Sequence, residues 1–168
     1  MSRTAVRASI QAYLSNANIK FLGTVFAHAP KWTNETDFVA NGYPGQGSGV
    51  VIYVHLRHQS EYRFALGGAT SGMKMRAYKC NLICLMNSKK TSAEECDADN
   101  DTFLDSLTAA IQANRNAGNP AAVFQWGEGD TLYGVDVIID SRFPQPIRQQ
   151  SMRQFSLAEV AVLEQMNT

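Results

Sequence analysis

The sequence predicts an α+β fold: a mixed, largely antiparallel β-sheet with two main helices packed on one face and a long hairpin arm. Three observations predict it. The order of periodicities is helix, strands, helix, strands, which segregates the helices rather than alternating them with parallel strands. Residues 76–87 alternate strictly, with Tyr78, Cys80, Leu82, Cys84 and Met86 on one face and Lys79, Asn81, Ile83, Leu85 and Asn87 on the other. A helix-period stripe, Phe103, Leu104, Leu107 and Ile111, follows a capping signal.

Taken in order, Thr4 followed by Val6, Ile10, Tyr13 and Leu14 predicts a short amphipathic helix, which SNAN at 15–18 ends. FLGTVFAHAP reads as a strand broken by Pro30. From Lys31 to Ser48 the Gly, Pro, Asn and Thr content is that of a long loop, with GYPGQGSG its most flexible part. VVIYVHLRH after Gly49 is β-branched and aromatic, and YRFAL continues it after an expected bend at Gln59 to Glu61. LGGATSGMK is then the tip of a long hairpin whose second strand is 76–87. One face of that strand is apolar throughout and the other only at its centre, so the second face should meet more chain or another subunit. Thr91 with Glu94, or Ser92 with Glu95, makes a capping box, and the helix should run to about Arg115, with Gly118 and Pro120 as stops. VFQWG, the run around VDVIID and a closing segment from Met152 to Met166 complete the chain. The last carries enough Leu, Ala and Glu for a helix, yet it alternates and follows a two-proline connection, SRFPQPIRQQ; a strand paired with VDVIID is the expectation.

A chain of 168 residues, 45% hydrophobic, makes one domain, 1–168, able to bury a core without staples. Lys and Arg together number 15 and Asp and Glu 15, so no net field recruits nucleic acid or a membrane surface; protein partners are expected. Three cysteines, Cys80, Cys84 and Cys96, read as free thiols of a reducing compartment. No window approaches a membrane span, and MSRTAVRASI is too polar for a signal peptide's apolar core.

The motifs that would carry chemistry fail on inspection. LGGATSGMKMR has two glycines at P-loop spacing, but Met73 stands where the lysine must follow Gly72, Lys74, flanked by Met73 and Met75, stands where the hydroxyl should be, and a strand follows instead of a helix. Asp97, Asp99 and Asp101 open like an EF-hand loop, but Thr102 and Thr108 replace its Gly and Glu. Alternate carboxylates on a helix also point apart; a solvated acidic face is the better reading. His55 and His58, three apart on a strand, should point to opposite faces and hold no metal. Cys80 and Cys84 lie about 13 Å apart along a strand, too far for a disulfide or one zinc. Cys96 falls in an acidic stretch that disfavours a thiolate. Ser48 lacks the nucleophile elbow because Gln46 occupies its first glycine position. The expectation is a non-enzymatic protein with no catalytic, cofactor or metal residues.

Charge is better organised. From Arg57 to Lys90 run Arg57, Arg63, Lys74, Arg76, Lys79, Lys89 and Lys90 against Glu61 alone, whereas Glu94 to Asp105 carries Glu94, Glu95, Asp97, Asp99, Asp101 and Asp105 and no base. Such a split suits head-to-tail pairing of subunits, which closes into a ring when the rotation permits. The candidate contact residues are Gly67, Gly68, Lys74 and Arg76 at the hairpin tip, with Glu94, Glu95, Asp97 and Asp101 as the acidic partner.

The run SGVVIYVHLRHQSEYRFALGGATSGMKMRAYKCNLICLMNSKKTSAEE, then DTFLDSLTAAIQANR, VFQWGEGD and the closing VLEQMNT, resembles tail-terminator (tail-completion) proteins of long-tailed bacteriophages and prophages. The likeness rests on order and on phrases such as YVHLRHQSE, ALGG and FQWGEGD. It implies a virion subunit at the head-proximal end of the tail, assembled in the host cytoplasm as a homohexameric ring. That ring would bind the tail tube protein, end tube polymerisation and join the tail to the head connector, while genomic DNA passes through its lumen without sequence-specific binding. Another neck component, a head-completion or stopper protein, is the alternative the same likeness leaves open.

Overall fold

The computed structural model describes residues 2–29, 48–63, 73–90, 92–113, 124–127, 135–148 and 151–167, the last two residues of β2, the first two of β3, 147–148 and 165–167 by their backbone alone. The architecture is α+β, two helices and a curled mixed sheet of seven strands among the described residues.

Helix α1, Arg3–Asn16, begins one residue before the first expected position because Ser2 caps it: the Ala5 amide donates to the Ser2 hydroxyl at 3.3 Å. Its buried stripe is Val6, Ile10 and Leu14. Phe21 then turns the chain with φ 59°, and its carbonyl accepts from the Val50 amide at 2.8 Å. Strand β1, Leu22–Phe26, runs parallel to β2, Ser48–Arg63, the one parallel pairing among the described strands.

β2 pairs antiparallel with β3, Met73–Ser88, over its whole length, so the expected hairpin is present and its tip lies outside the described residues. The expected bend at Gln59 to Glu61 is absent. The irregularity sits earlier, where Leu56 opposes Cys80 and His58 opposes Lys79, leaving Arg57 as an inserted residue. That insertion corrects the expectation for the histidines: His55 opposes Asn81 and His58 opposes Lys79, so both lie on one face.

Helix α2, Ala93–Ala113, starts directly after Ser92, and the Cys96 amide donates to the Ser92 carbonyl at 3.2 Å. Its far end, expected near Arg115, falls beyond the described residues. The closing segment is a strand, β7, Ser151–Asn167, and it is the organiser of one side of the sheet. One edge of β7 pairs with all of β3; along the other edge lie β4, Gln125–Trp126, β5, Val137–Ser141, and β6, Gln145–Arg148, in three separate pieces. The expected partner, VDVIID, is therefore only one of four.

The sheet has one dry face. Val50, Ile52, Val54 and Leu56 of β2, Tyr78 to Met86 of β3 at alternate positions, and Ala158, Val160 and Val162 of β7 gather with the stripes of both helices into a single core. FQWG belongs to that core: Tyr13, Phe124 and Trp126 meet edge to face, with Phe124 and Trp126 centroids 4.9 Å apart and Tyr13 and Trp126 5.8 Å apart. The Tyr13 hydroxyl donates to the Ala110 carbonyl and ties α1 to α2.

Candidate interaction surfaces

The opposite face of the sheet carries no helix among the described residues. Its centre is apolar and runs across three strands in register: Val51, Leu85 and Phe155 in one row, Tyr53, Ile83 and Leu157 in the next. Val51 is buried and the other five are half-buried. The rows above are polar. His55, Asn81 and Glu159 stand in line, the His55 ring stacks on Tyr53, and Arg57 reaches Glu159 at 3.6 Å. Beside Phe155, the Arg142 guanidinium lies 5.1 Å above the ring.

The candidate basic residues fare differently. Gly67 and Gly68 lie outside the described residues. Lys74 is placed in β3 opposite Arg63 and Met166. Arg76 is engaged within the chain: its Nε donates to Glu61 Oε2 at 2.8 Å, and its Nη1 lies 3.9 Å from the buried Glu164 carboxylate. Tyr78 also donates to Glu164, at 2.8 Å. In register, Glu61, Arg76 and Glu164 form a charge-alternating row across β2, β3 and β7. Arg76 is thus first a brace of the arm.

On α2, Glu94, Glu95 and Asp101 are exposed. Asp97 and Asp99 face the sheet's end and have separate partners. Asp97 accepts from the Gln154 amide at 2.6 Å; Asp99 accepts from the Ser48 hydroxyl at 2.5 Å and from Lys90 at 3.0 Å. The three aspartates of the D-x-D-x-D run accordingly do not converge on one point. Lys90, counted with the basic stretch, is tied to the acidic helix of its own chain.

Those contacts belong to a polar seam that sequence reasoning missed. Asn100 donates to the Ser141 and Ser156 hydroxyls at 3.1 Å each, Gln154 donates to Ser141 at 3.2 Å, and the Cys96 thiol faces the Gln154 carbonyl oxygen at 3.9 Å. The signal was present in β7, whose inward positions read Gln154, Ser156, Ala158, Val160, Val162, Glu164: polar at both ends and apolar only in the middle. Burial pushes the Cys96 thiol up to about 11, with Asp99 and Asp97 adding to it, and pushes Cys80 up to about 12; both stay protonated and inert at neutral pH.

No protein-family model matches the chain, and no curated protein matches it. Among the described residues no helix is long and apolar enough to cross a membrane.

Proposed function

We propose that this chain is a structural subunit of a bacteriophage tail, a tail terminator that works as a homohexameric ring between the tail tube and the head connector. The observation that carries the reading is the two-faced sheet: helices seal one side, while the other presents half-buried Tyr53, Ile83, Leu85, Phe155 and Leu157 with charged residues around them. A face apolar only at its centre suits a surface that a neighbouring subunit completes. The order of phrases from SGVVIYVHLRH to VLEQMNT supports the phage class.

The mechanism is capping by complementary surfaces. One face of the ring matches the growing end of the tube; the other offers no further tube-binding surface and receives the head connector. Neighbours pair the basic hairpin side with the exposed carboxylates of α2, and net neutrality keeps the lumen only weakly attractive to passing DNA.

The mass of the purified protein across a concentration range, alone and with assembled tail tubes, tests this directly. A hexamer, alone or formed on the tube end, is expected; a persistent monomer that ignores tubes overturns the reading. Charge pairing is best probed from the helix side. Glu94→Lys with Glu95→Lys changes two exposed carboxylates and should prevent the ring at a stability cost of about 1–2 kcal/mol, since both stand in the first turn of α2 where the helix dipole favours negative charge, whereas reversing Arg76 would also break the row that holds Glu164.

A further inference from the structure

Every exposed large hydrophobic side chain among the described residues falls in one stretch, 138–143: Ile138 is 65% exposed, Ile139 40% and Phe143 78%. Two of them are in β5, the outer strand of the sheet on that side. Ile138 and Ile139 alternate, so the strand shows solvent an apolar side chain on both faces. Among the described residues nothing pairs with its outer backbone edge either. The Arg142 amide donates to the Phe155 carbonyl at 2.9 Å, in continuation of the register that sets Ser141 opposite Ser156. Bonding alternates along an antiparallel ladder, so Asp140 and Ile138 also turn their backbone groups toward β7, and Val137, Ile139 and Ser141 turn theirs outward.

Two of the other edges are guarded. On β1 the Val25 carbonyl accepts from the Gln11 side chain at 2.7 Å, and β6 carries Pro146, with Pro144 just before it. No described residue guards β5 in this way. An edge of this kind is a template for another strand.

We propose that β5 pairs antiparallel with β5 of a second copy of this chain, about a two-fold axis at Ile139. Charge and strand length together select that register. A centre at Ser141 would also set Asp140 opposite Arg142, but its ladder would run past the end of β5 into Phe143 and Pro144, and a centre at Val137 sets no opposite charges together. A two-fold perpendicular to the sheet keeps each face continuous, so it must pass through a residue. Centred on Ile138 it sets Asp136 against Asp140 of the second copy; centred on Asp140 it sets that carboxylate against itself. Centred on Ile139 it sets Asp136 opposite Arg142 of the second copy, and Arg142 opposite that copy's Asp136, at both ends of the ladder. Ile139 then faces its own copy across a pair that exchanges both backbone bonds, and Val137 does the same with Ser141. The contact is isologous: it buries both open edges and leaves none for further growth. It stands on this edge alone and does not depend on the ring or on the phage reading.

Cysteine placement tests it. In a mutually bonded antiparallel pair the Cα atoms are roughly 5.5 Å apart, within disulfide reach. Ile139→Cys should oxidise to a covalent dimer, while Ile138→Cys, which opposes Asp140, should not; the native thiols are buried and silent. Asp136→Arg should weaken the dimer roughly tenfold by sedimentation, and adding Arg142→Asp should restore it. Cross-linking at neither position, or equally at both, overturns the proposal, as does a swap that fails to restore pairing. Glu94→Lys with Glu95→Lys, which targets the ring, should leave the Ile139→Cys cross-link intact; its loss in that variant would also overturn a two-fold that stands on the edge alone.

Discussion

Cys80, Cys84 and Cys96 are buried thiols whose titration is coupled to folding. Burial is the main cause in each, lifting Cys80 from 9.0 to about 12, Cys96 to about 11, and Cys84 upward likewise. A raised native value means that the unfolded chain loses its proton first. Stability from these groups is complete below pH 9.0 and falls as the pH climbs toward the native values. Each pH unit in that window removes about 1.4 kcal/mol per thiol. Urea unfolding at pH 7, 9 and 10.5 should show a plateau followed by a steep decline, and Cys80→Ala should flatten the decline; a profile level through pH 10.5 contradicts the coupling. Glycine matters at one described position: Gly127 has φ 100°, and its amide donates to the Ala161 carbonyl at 2.7 Å, closing β4 onto β7 where a Cβ would strain the turn.

Helix α2 is held in two different ways along its length. Phe103, Leu104, Leu107 and Ile111 sit in the dry core, whereas Cys96, Asn100, Asp97 and Asp99 meet the seam of serines, Gln154 and Lys90. The two halves respond to truncation by different physics. Phe103→Ala leaves a cavity and should cost about 3–5 kcal/mol. Asn100→Ala removes the shared donor of Ser141 and Ser156 and should cost about 1–3 kcal/mol. A double-mutant cycle of Asn100→Ala with Ser156→Ala should show coupling, because they exchange bonds in both directions at 3.1 and 3.2 Å. Strict additivity would mean the seam is not a unit.

Across the whole molecule, β3 is the strand with continuous partners on both sides, β2 on one and β7 on the other, each over its full length. β4 and β5 touch β7 over a few residues at the margin. Opening free energy follows this order. Amide exchange should be slowest at Leu82 to Cys84, intermediate in α2 and fastest in β4 and β5. Oligomerisation through β5 should slow exchange at Val137, Ile139 and Ser141 selectively, since those amides point outward. Exchange that is uniform along the sheet would remove the hierarchy.

Local signals were sufficient for the long elements, but the stretch expected as a two-proline connection holds strand β6, Gln145–Arg148, which only its pairing with β7 makes a strand. Alternation through 76–87, the β-branched run after Gly49 and the capped stripe from Ser92 to Ile111 are each set by neighbours within a few residues, and period determines which face is buried. Alternation with a proline-rich lead-in likewise made β7 a strand against its helix-forming composition. What escaped was set by pairs far apart in the chain. The insertion at Arg57, which moves His58 to the face of His55, exists only relative to Lys79 and Cys80 across the ladder. Arg76 reads as a free cation until Glu61 and Glu164 arrive from β2 and β7, and Asp97 as a solvated carboxylate until Gln154 does. The role of β7 as the strand joining β3 to three edge pieces, and hence an edge at Ile139 that no described residue covers, is a property of the assembled sheet. Periodicity is a one-chain quantity that sequence determines; register, charge partnership and edges are relations between distant strands, and only tertiary structure decides them.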